Sequence, residues 1–154
     1  AFAALHDEPR LIIFGDGPES GALRALCAEL GLYSRVSFRG HCPREELAEA
    51  YAAADCFVLA SRSETFGVAY IEAMAAGLPV IATRCGGPED FVTEENGILI
   101  PVDDEDALTG AMEHMMLRRE DYDSAAISAD IRRKFAPETI AARLTELYEG
   151  VLSC

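Results

Sequence analysis

Short apolar segments alternate with helical patterns along most of this 154-residue chain. Most of these segments are apolar at consecutive positions, which is typical of strands covered on both faces of a parallel sheet. Parallel strands need a crossover between them, and the intervening helical patterns supply it. We therefore predict an α/β fold, a Rossmann-like doubly wound parallel sheet with helices on both faces. The predicted strands are residues 10–14, 35–39, 56–60, 79–83 and 97–101.

The predicted helices carry apolar residues at helical spacing. Gly31 ends the first helix, Pro43 stands at the first position of the second, and Gly86-Gly87-Pro88 begins a short one. Three more helices follow the last strand. The apolar stripes are, in chain order, Leu23, Leu26, Cys27 and Leu30; Leu47, Ala50, Tyr51 and Ala54; Leu108, Ala111, Met112 and Met115; Tyr122, Ala125, Ala126 and Ala129; and Ile140, Leu144, Leu147, Tyr148 and Val151.

Composition limits both the class of the protein and its partners. Half of the residues are apolar, which provides a core for one domain over residues 1–154 and excludes disorder. The formal net charge is −14, and the thirteen Lys and Arg residues form no basic stripe. Nucleic acid is therefore excluded as a partner, because binding to a phosphate backbone requires such a stripe.

Cysteine usage and hydropathy indicate a cytoplasmic protein. The five cysteines are odd in number, widely spaced and without a CxxC pair, so we predict reduced thiols. No apolar run approaches the roughly 20 residues that span a bilayer, and no signal peptide is visible. The cysteines are Cys27, Cys42, Cys56, Cys85 and Cys154.

Glu72 is the one charged residue between Thr65 and Thr83, and it lies in an apolar predicted helix. A buried carboxylate without partners is strongly destabilising. A helical side chain leans toward the amino terminus, so Glu72 is predicted to point back toward Glu64 and to flank one pocket with it. The alternative is a structural Glu72 that is bridged to a cation or to water inside the fold, and spacing alone leaves both open.

The carboxyl ends of the predicted strands indicate where a ligand binds in a doubly wound fold. Glu64 lies in the loop after the third strand, just before the helix that carries Glu72. The start of that helix offers the amides of Phe66, Gly67 and Val68 to an anion, and Gly67 allows close approach. A fitting ligand carries phosphate for these amides and hydroxyls for the glutamates. The loops selected by this rule are residues 15–21, 40–43, 61–67 and 84–88.

Glu64 and Glu72 stand in an E-x7-E arrangement inside a longer string of residues. That string is Ser61-x-x-Glu64-x-Phe66-Gly67…Glu72-Ala73-Met74-Ala75-x-Gly77-x-Pro79-Val80-Ile81-Ala82…Gly86-Gly87…Gly97, preceded by Gly15-x-Gly17-Pro18 and Val36-x-Phe38-x-Gly40. Over residues 9–117 the chain closely resembles the carboxy-terminal domain of family-four (group 1) retaining glycosyltransferases with the GT-B fold. An E-x7-E alone is a weak signal, whereas the whole string in order is a specific one.

The resemblance implies roles for these residues in binding a UDP-, GDP- or ADP-sugar. Glu72 would accept hydrogen bonds from the ribose hydroxyls. Glu64, the catalytic candidate, would contact the donor sugar, either as nucleophile or as electrostatic support. No metal or other cofactor is expected. The remaining donor-binding candidates are Thr65, Phe66, Gly67 and Val68 for the distal phosphate or sugar, Gly15 and Gly17 in the first turn, and Gly40, His41, Cys42 and Leu47 toward the base.

The resemblance also implies parts that this sequence lacks. In the family, an arginine and a lysine for the diphosphate follow the first strand of the domain, upstream of Ala1 here. An amino-terminal domain in cis binds the acceptor. Residues 1–154 would be a donor-binding fragment that is inactive alone. The complete enzyme would act in polysaccharide or glycolipid synthesis. Any contact with a membrane would be peripheral and made through the missing domain. The alternatives are a non-catalytic nucleotide-binding or interaction module of the same fold and, third, a sugar-nucleotide epimerase.

Three other constellations have simpler explanations. Asp104-Glu105-Asp106 contains a DxD, but it opens a predicted helix, where acidic residues cap the amides and favour the dipole. Gly15-Asp16-Gly17 lacks the third glycine of a dinucleotide fingerprint. His41, Cys42 and Cys85 lack the paired spacing of a zinc site.

Overall fold

The computed structural model describes residues 1–152, and Cys154, one of the predicted thiols, lies outside them. Parallel strands alternate with helices as predicted, which confirms the α/β fold class. The strands are β1 (Leu11–Phe14), β2 (Val36–Gly40), β3 (Phe57–Leu59), β4 (Val80–Thr83) and β5 (Gly97–Ile100). The helices are α1 (Ser20–Glu29), α2 (Arg44–Ala53), α3 (Val68–Ala75), α4 (Glu105–Arg118), α5 (Ser124–Phe135) and α6 (Pro137–Leu152). Short 3₁₀ turns lie at Phe2–Ala4, Gly87–Asp90 and Arg119–Asp121.

The strands lie in two parallel sheets rather than in one continuous sheet. β1 pairs with β2, and a separate sheet has the order β3-β4-β5. Leu11 lies opposite Val36 in the first sheet, and Val80 lies opposite both Phe57 and Gly97 in the second. Across residues 1–152, no strand pairing joins the two sheets.

The core is built around the second sheet. All four residues of β4 are buried, as expected for an inner strand with helices on both faces. By contrast, none of the residues of β1 is buried, and Ile12 is 48% exposed. The helical residues of the core are Tyr70, Ala73 and Met74 from α3, Ala111, Met112 and Met115 from α4, and Ile127 and Ile131 from α5.

The predicted apolar stripe of α5 is wrong. Ala125, Ala126 and Ala129 are exposed, whereas Ile127 and Ile131 are almost fully buried. Branched side chains remove more apolar surface from water than alanine does, so the helix turns these two toward the core. Tyr122, which precedes the helix, is buried as the stripe predicted.

Two other predicted stripes are present but mostly uncovered. On α1, only Cys27 is buried, and the three leucines are almost half exposed. On α6, all five apolar residues are exposed, because the helix contacts little besides α5. The exposed residues are Leu23, Leu26 and Leu30 on α1, and Ile140, Leu144, Leu147, Tyr148 and Val151 on α6.

The acidic run Asp104-Glu105-Asp106 and Pro43 both lie at the starts of helices. The side chain of Asp104 accepts a hydrogen bond from the amide of Ala107 at 2.8 Å, which confirms the capping interpretation of the DxD. Pro43 is the extended N-cap of α2 rather than its first helical residue. No group of three His, Cys, Asp or Glu side chains within residues 1–152 is arranged to hold a metal ion.

The thiols and the helix lengths add two observations. Cys27, Cys42, Cys56 and Cys85 are free thiols. Burial, followed by the charge of Asp55, raises the pKa of Cys56 to about 11, so this thiol stays protonated. None of the helices in the described part of the chain combines the length and apolar character that crossing a bilayer requires.

Candidate functional site

The loops that follow β3 and β4 are joined backbone to backbone. The amide of Glu64 donates to the carbonyl of Cys85 at 3.3 Å, and the amide of Gly87 donates to the carbonyl of Glu64 at 3.0 Å. Glu64 and Gly86 thereby form an isolated parallel bridge beyond the sheet. This bridge fixes the main chain of Glu64 relative to the end of β4.

Glycine at positions 86 and 87 permits this close approach. A Cβ on Gly87 would lie 2.4 Å from the carbonyl oxygen of Phe66 and 2.5 Å from its Cα. Gly86 has a φ of +114°, and its Cβ would lie 2.8 Å from the carbonyl oxygen of Glu64. Because these neighbours are backbone atoms, no change of rotamer would relieve the contact. The Gly86-Gly87 pair is therefore required by the loop that carries Glu64.

The carboxylate of Glu64 is half-buried and oriented by a serine. Ser61 Oγ donates to Glu64 Oε1 at 2.9 Å. The carbonyl of Ser61 accepts a hydrogen bond from the buried hydroxyl of Thr83, at the end of β4. Sequence reasoning did not include Ser61 among the site residues, although Ser61 begins the string that carries the resemblance.

The start of α3 follows directly after the Glu64 loop. Its N-cap, Gly67, has a φ of +92°, a left-handed conformation that favours glycine. The amides of Phe66, Gly67 and Val68 have no hydrogen-bond acceptor within the described chain. Three free donors at the positive end of the helix dipole suit an anion. Thr65, next to them, is exposed.

The side chain of Phe66 anchors this loop by packing against other aromatic rings. The Phe66 ring packs edge-to-face against Phe135 of α5, with ring centroids 5.5 Å apart. It also meets Phe91 at 6.2 Å. The predicted contribution of Phe66 to ligand binding can therefore come from its amide, since its ring already serves to hold the loop.

Glu72 lines a cavity of about 350 Å³ between α2, α3 and α5. Its Oε1 lies 3.6 Å from Nη2 of Arg44. The side chain of Glu72 is 37% exposed and that of Arg44 is 89% exposed, so solvent screens this ion pair. Among the described residues, Glu72 thus has no strong ion-pair partner. The other lining residues are Leu47, Ala48, Tyr51, Ala75, Ala76 and Arg132.

Tyr51 adds a hydroxyl to this cavity. Burial, followed by the negative charge of Glu72, raises the pKa of Tyr51 to about 12, so the hydroxyl stays protonated at neutral pH. Neither Tyr51 nor Arg44 is among the residues predicted for the site. Both lie at helical spacing from Leu47, on one face of α2, and this periodicity is the signal that points to them.

The two glycine turns at the ends of β1 and β2 meet each other. Gly15 has a φ of +101°, and its amide donates to the carbonyl of Gly40 at 2.7 Å. The amide of Gly17 is already engaged by the side chains of Asp16 and Ser20, at 2.9 and 3.1 Å. The amide of Gly17 is therefore not a free donor for a ligand, but the lack of a side chain at Gly17 leaves room for one.

The structure brings together some of the predicted residues but not all of them. Leu47 and Glu72 line the same cavity, whereas Glu64 lies outside it in the loop after β3. His41 is exposed and Cys42 is half-buried in the turn before α2. The predicted residues thus occupy three places: the glycine turns, the α2–α3 cavity, and the joined loops with the start of α3.

Comparison with known proteins identifies the family to which the chain is similar. Residues 1–131 match the family described as Glycosyl transferases group 1. A GDP-mannose-dependent alpha-mannosyltransferase of Mycobacterium tuberculosis is 37% identical over 144 residues, which are 92% of this chain and 36% of that protein. The chain therefore spans only about a third of the length of this curated relative.

Solved structures show the same fold. Sucrose-phosphate synthase from Thermosynechococcus elongatus superposes with a TM-score of 0.80 at 31% identity, over 94% of this chain and 39% of that one. Anabaena Alr3699/HepE in complex with UDP-glucose superposes with a TM-score of 0.84 at 25% identity, over 97% of this chain and 43% of that one.

Proposed function

Because the chain belongs to the group 1 family of glycosyl transferases, we propose that it is the donor-binding domain of a retaining transferase. The enzyme moves a sugar from a nucleotide-sugar to an acceptor in the synthesis of a polysaccharide or glycolipid. Two of the similar proteins support the donor class: the mannosyltransferase relative depends on GDP-mannose, and the Anabaena structure contains UDP-glucose.

The environment of Glu72 is the observation that carries this proposal. The Glu72 carboxylate, in an apolar helix, lines a cavity, and within residues 1–152 its one ion-pair partner is a largely exposed arginine. Such a carboxylate has free capacity to accept hydrogen bonds. We assign it to the two ribose hydroxyls, which donate in pairs to a carboxylate. The protonated hydroxyl of Tyr51 provides a further donor in the same cavity.

The joined loops supply the groups for the reacting end of the donor. The free amides of Phe66, Gly67 and Val68 donate hydrogen bonds to the distal phosphate, on which negative charge builds up as the sugar leaves. The carboxylate of Glu64, held by Ser61, faces the sugar and stabilises the positive charge of an oxocarbenium-like transition state. The leaving phosphate thus meets the positive end of a helix dipole, and the positively charged sugar meets the Glu64 carboxylate.

The remaining assignments concern the nucleotide base and the glycine turns at the ends of β1 and β2. We assign Gly40, His41, Cys42 and Leu47 to the base, with Gly15 and Gly17 giving room at the adjoining turn. Arg44, beside Leu47, adds guanidinium donors that suit the carbonyl oxygens of guanine or uracil. No cofactor is assigned, because the phosphate meets amides and the sugar meets a carboxylate.

The active protein, in this proposal, is longer than the chain described. The chain is one domain of a cytoplasmic two-domain enzyme of GT-B fold, and an amino-terminal domain in cis binds the acceptor. The length of the relatives supports this arrangement, since the chain covers 36% of the mannosyltransferase. Any contact with a membrane is peripheral and made by that other domain.

Replacing Glu72 by glutamine tests the ribose assignment. We expect Glu72→Gln to change stability by no more than about 1 kcal/mol, because an exposed ion pair contributes little. Nucleotide affinity should fall about tenfold to a hundredfold, since a neutral amide oxygen accepts hydrogen bonds more weakly than a carboxylate. Thermal melting without ligand and NMR titration with UMP, GMP and AMP measure the two effects.

The matched control is Glu113→Gln, which removes one exposed carboxylate from α4. It should leave both the melting temperature and the affinity unchanged. A loss of about 3 to 5 kcal/mol in Glu72→Gln would instead indicate a structural carboxylate whose cationic partner is left uncompensated. Unchanged affinity in a stable Glu72→Gln variant would contradict the ribose assignment.

The second phosphate should add little to the affinity of the 154-residue chain. No lysine precedes Lys134, and the two arginines nearest the joined loops, Arg62 and Arg84, each pair with a carboxylate. Contacts to a cationic side chain contribute about 1.5 to 3 kcal/mol each, and among the described residues the distal phosphate is assigned only the neutral amides at the start of α3, so its gain is limited. We expect UDP, GDP or ADP to bind within about tenfold of its monophosphate in NMR titrations. A hundredfold gain would show that the phosphate site is misplaced.

A further inference from the structure

A short segment, residues 59–61, connects β3 to the loop that carries Glu64. Leu59 is the last residue of β3, and Ser61 Oγ donates to Glu64 Oε1 at 2.9 Å. Where a strand ends, the backbone carbonyls lose the neighbouring strand as a source of donors and need other partners. The position of the Glu64 carboxylate therefore depends on the groups that hold residues 59–61.

Two buried hydroxyls from different elements hold this segment. Tyr70 of α3 donates from its hydroxyl to the carbonyl of Leu59, and Thr83 at the end of β4 donates from Oγ1 to the carbonyl of Ser61. Tyr70 is fully buried and Thr83 is 2% exposed. Burial raises the pKa of Tyr70 to about 12, so its hydroxyl remains a donor at neutral pH. Together, Tyr70 and Thr83 form the hydroxyl clamp.

The ring of Tyr70 is itself fixed by packing. It meets Phe57 of β3 edge-to-face, with ring centroids 5.5 Å apart, and it lies tilted against Phe91 at 6.4 Å. The ring also lies against the N-cap of α3, since a Cβ on Gly67 would be 2.7 Å from Cδ2 of Tyr70. Tyr70 therefore connects the start of α3, with its free amides, to the end of β3.

Thr83 is connected to Glu64 by two routes. Its Oγ1 holds the carbonyl of Ser61, whose own hydroxyl donates to the Glu64 carboxylate. Sγ of Cys85 lies 3.4 Å from the same Oγ1, and the carbonyl of Cys85 accepts the amide of Glu64 at 3.3 Å. A displacement at Thr83 would therefore reach both the side chain and the main chain of Glu64.

We propose that Tyr70 and Thr83 are positioning residues for the sugar-transfer step. Through residues 59–61, they hold Ser61 so that its hydroxyl directs the Glu64 carboxylate toward the donor sugar. This role rests on the proposed function, in which that carboxylate stabilises the positive charge of the reacting sugar. A displacement of about 1 Å in a reacting site can lower the rate about a hundredfold. Because neither hydroxyl is assigned a contact with the donor, the clamp should affect turnover rather than binding.

Tyr70→Phe removes one hydroxyl of the clamp and keeps the packing of the ring. In the full-length enzyme, we expect kcat to fall about tenfold, while KM for the nucleotide-sugar stays within about twofold of wild type. Tyr122→Phe is the matched control, because Tyr122 is also a buried tyrosine but lines the cavity beside β5 and α4. It should leave both constants unchanged. An unchanged kcat in Tyr70→Phe would overturn the proposal.

Two substitutions of Thr83 separate its hydroxyl from its packing. Thr83→Val keeps the shape of the side chain and removes the hydroxyl, whereas Thr83→Ser keeps the hydroxyl and removes a methyl group. We expect kcat to fall about tenfold in Thr83→Val and to stay within about twofold of wild type in Thr83→Ser. Equal losses in the two variants would show that only packing matters at this position, and the role of Thr83 would be wrong.

A double variant tests whether the clamp acts through the contact between Ser61 and Glu64. Ser61→Ala alone should lower kcat about tenfold, since it removes one hydrogen bond to a charged group. If Tyr70 acts through that contact, the kcat of Tyr70→Phe/Ser61→Ala should lie within about threefold of that of Ser61→Ala. Independent effects would instead multiply to about a hundredfold, and that result would overturn the proposal.

Amide hydrogen exchange provides a measurement that does not depend on sugar transfer. The amides of Glu64 and Gly87 join the two loops, and in Tyr70→Phe we expect them to exchange about tenfold faster than in the wild type. The amide of Val80, bonded to the carbonyl of Asn96 at the other end of β4, should be unaffected. Unchanged exchange at Glu64 and Gly87 would show that the hydroxyl does not hold the loop, which would also overturn the proposal.

Glu64→Gln, measured beside these variants, separates failure of the clamp from failure of the proposed function. If it lowers kcat while Tyr70→Phe and Thr83→Val do not, the catalytic assignment stands and the clamp is wrong. If Glu64→Gln itself leaves kcat unchanged, the catalytic assignment is wrong, and the positioning role falls with it whatever the exchange rates are.

Discussion

Gly87→Ala should destabilise the protein by about 3 kcal/mol, at the upper end of the cost of overpacking, because the added Cβ meets backbone. That Cβ would lie 2.4 Å from the carbonyl oxygen of Phe66, and the two joined loops would have to separate. The bond from the amide of Gly87 to the carbonyl of Glu64 would lengthen or break. We expect a fall in melting temperature of about 6 to 12 °C.

Gly110→Ala is the matched control for this substitution. Gly110 lies within α4, and a Cβ there would meet no atom within 4 Å. The same chemical change should therefore stabilise the protein by about 1 kcal/mol through helix propensity. Opposite signs for the two variants would establish close loop contact at Gly87. A melting temperature of Gly87→Ala within about 2 °C of the wild type would contradict that contact.

The loop contact also connects stability to ligand binding. The bridge between Glu64 and Gly86 lies next to the free amides at the start of α3. A variant that separates the loops should therefore bind nucleotide diphosphates more weakly even at temperatures where it stays folded. Gly110→Ala, whose added Cβ meets no atom within 4 Å, should bind as the wild type does.

The strands were predictable from sequence because they depend on local pattern. Residues 79–83 were predicted as a strand, and β4 spans Val80–Thr83. The run is apolar at successive positions and is bounded by Gly77 and Gly86, so few other structures suit it. Strand partners are harder to predict, because pairing is non-local. The sequence indicates a parallel sheet, but it does not show that within residues 1–152 the pair β1-β2 forms a sheet separate from β3-β4-β5.

Helix faces were less predictable, because the neighbours decide them. On α5, the sequence contains two competing stripes, and the structure buries the one with Ile127 and Ile131. On α1, the predicted stripe is correct in phase, yet its leucines stay half exposed because nothing in residues 1–152 covers them. Periodicity gives the apolar face of a helix, but burial depends on what packs against that face.

The candidate site also has residues that the sequence predicted and a residue that only the packing of helices reveals. Spacing and the matched string pointed to Glu64 and Glu72, and the structure puts one in the joined loops and the other in the α2–α3 cavity. The sequence did not reveal Arg44 as the ion-pair partner of Glu72. The two residues lie on different helices, and only the packing of α2 beside α3 brings them within 3.6 Å.

Glu64→Gln should have the largest effect on activity. In the full-length enzyme, we expect kcat for cleavage of the nucleotide-sugar donor to fall about 100- to 1000-fold, the usual loss when one preorganised electrostatic group is removed. Glutamine keeps the shape of glutamate, and its carbonyl oxygen still accepts the hydrogen bond from Ser61. Folding and donor affinity should therefore stay close to wild type. Sugar release from UDP-, GDP- and ADP-sugars measures the rate.

Two further variants separate catalysis from positioning and from binding. Ser61→Ala leaves the charge of Glu64 but removes the donor that orients it, so it should lower kcat only about tenfold, as loss of one hydrogen bond to a charged group predicts. Glu72→Gln should raise KM more than it lowers kcat, because ribose binding is the same in ground and transition states. Were Glu64→Gln to keep kcat within about twofold of wild type, the positive charge on the reacting sugar would have to be stabilised by another group. Glu64 would then serve the fold through its bridge to Gly86, and the catalytic assignment would be wrong.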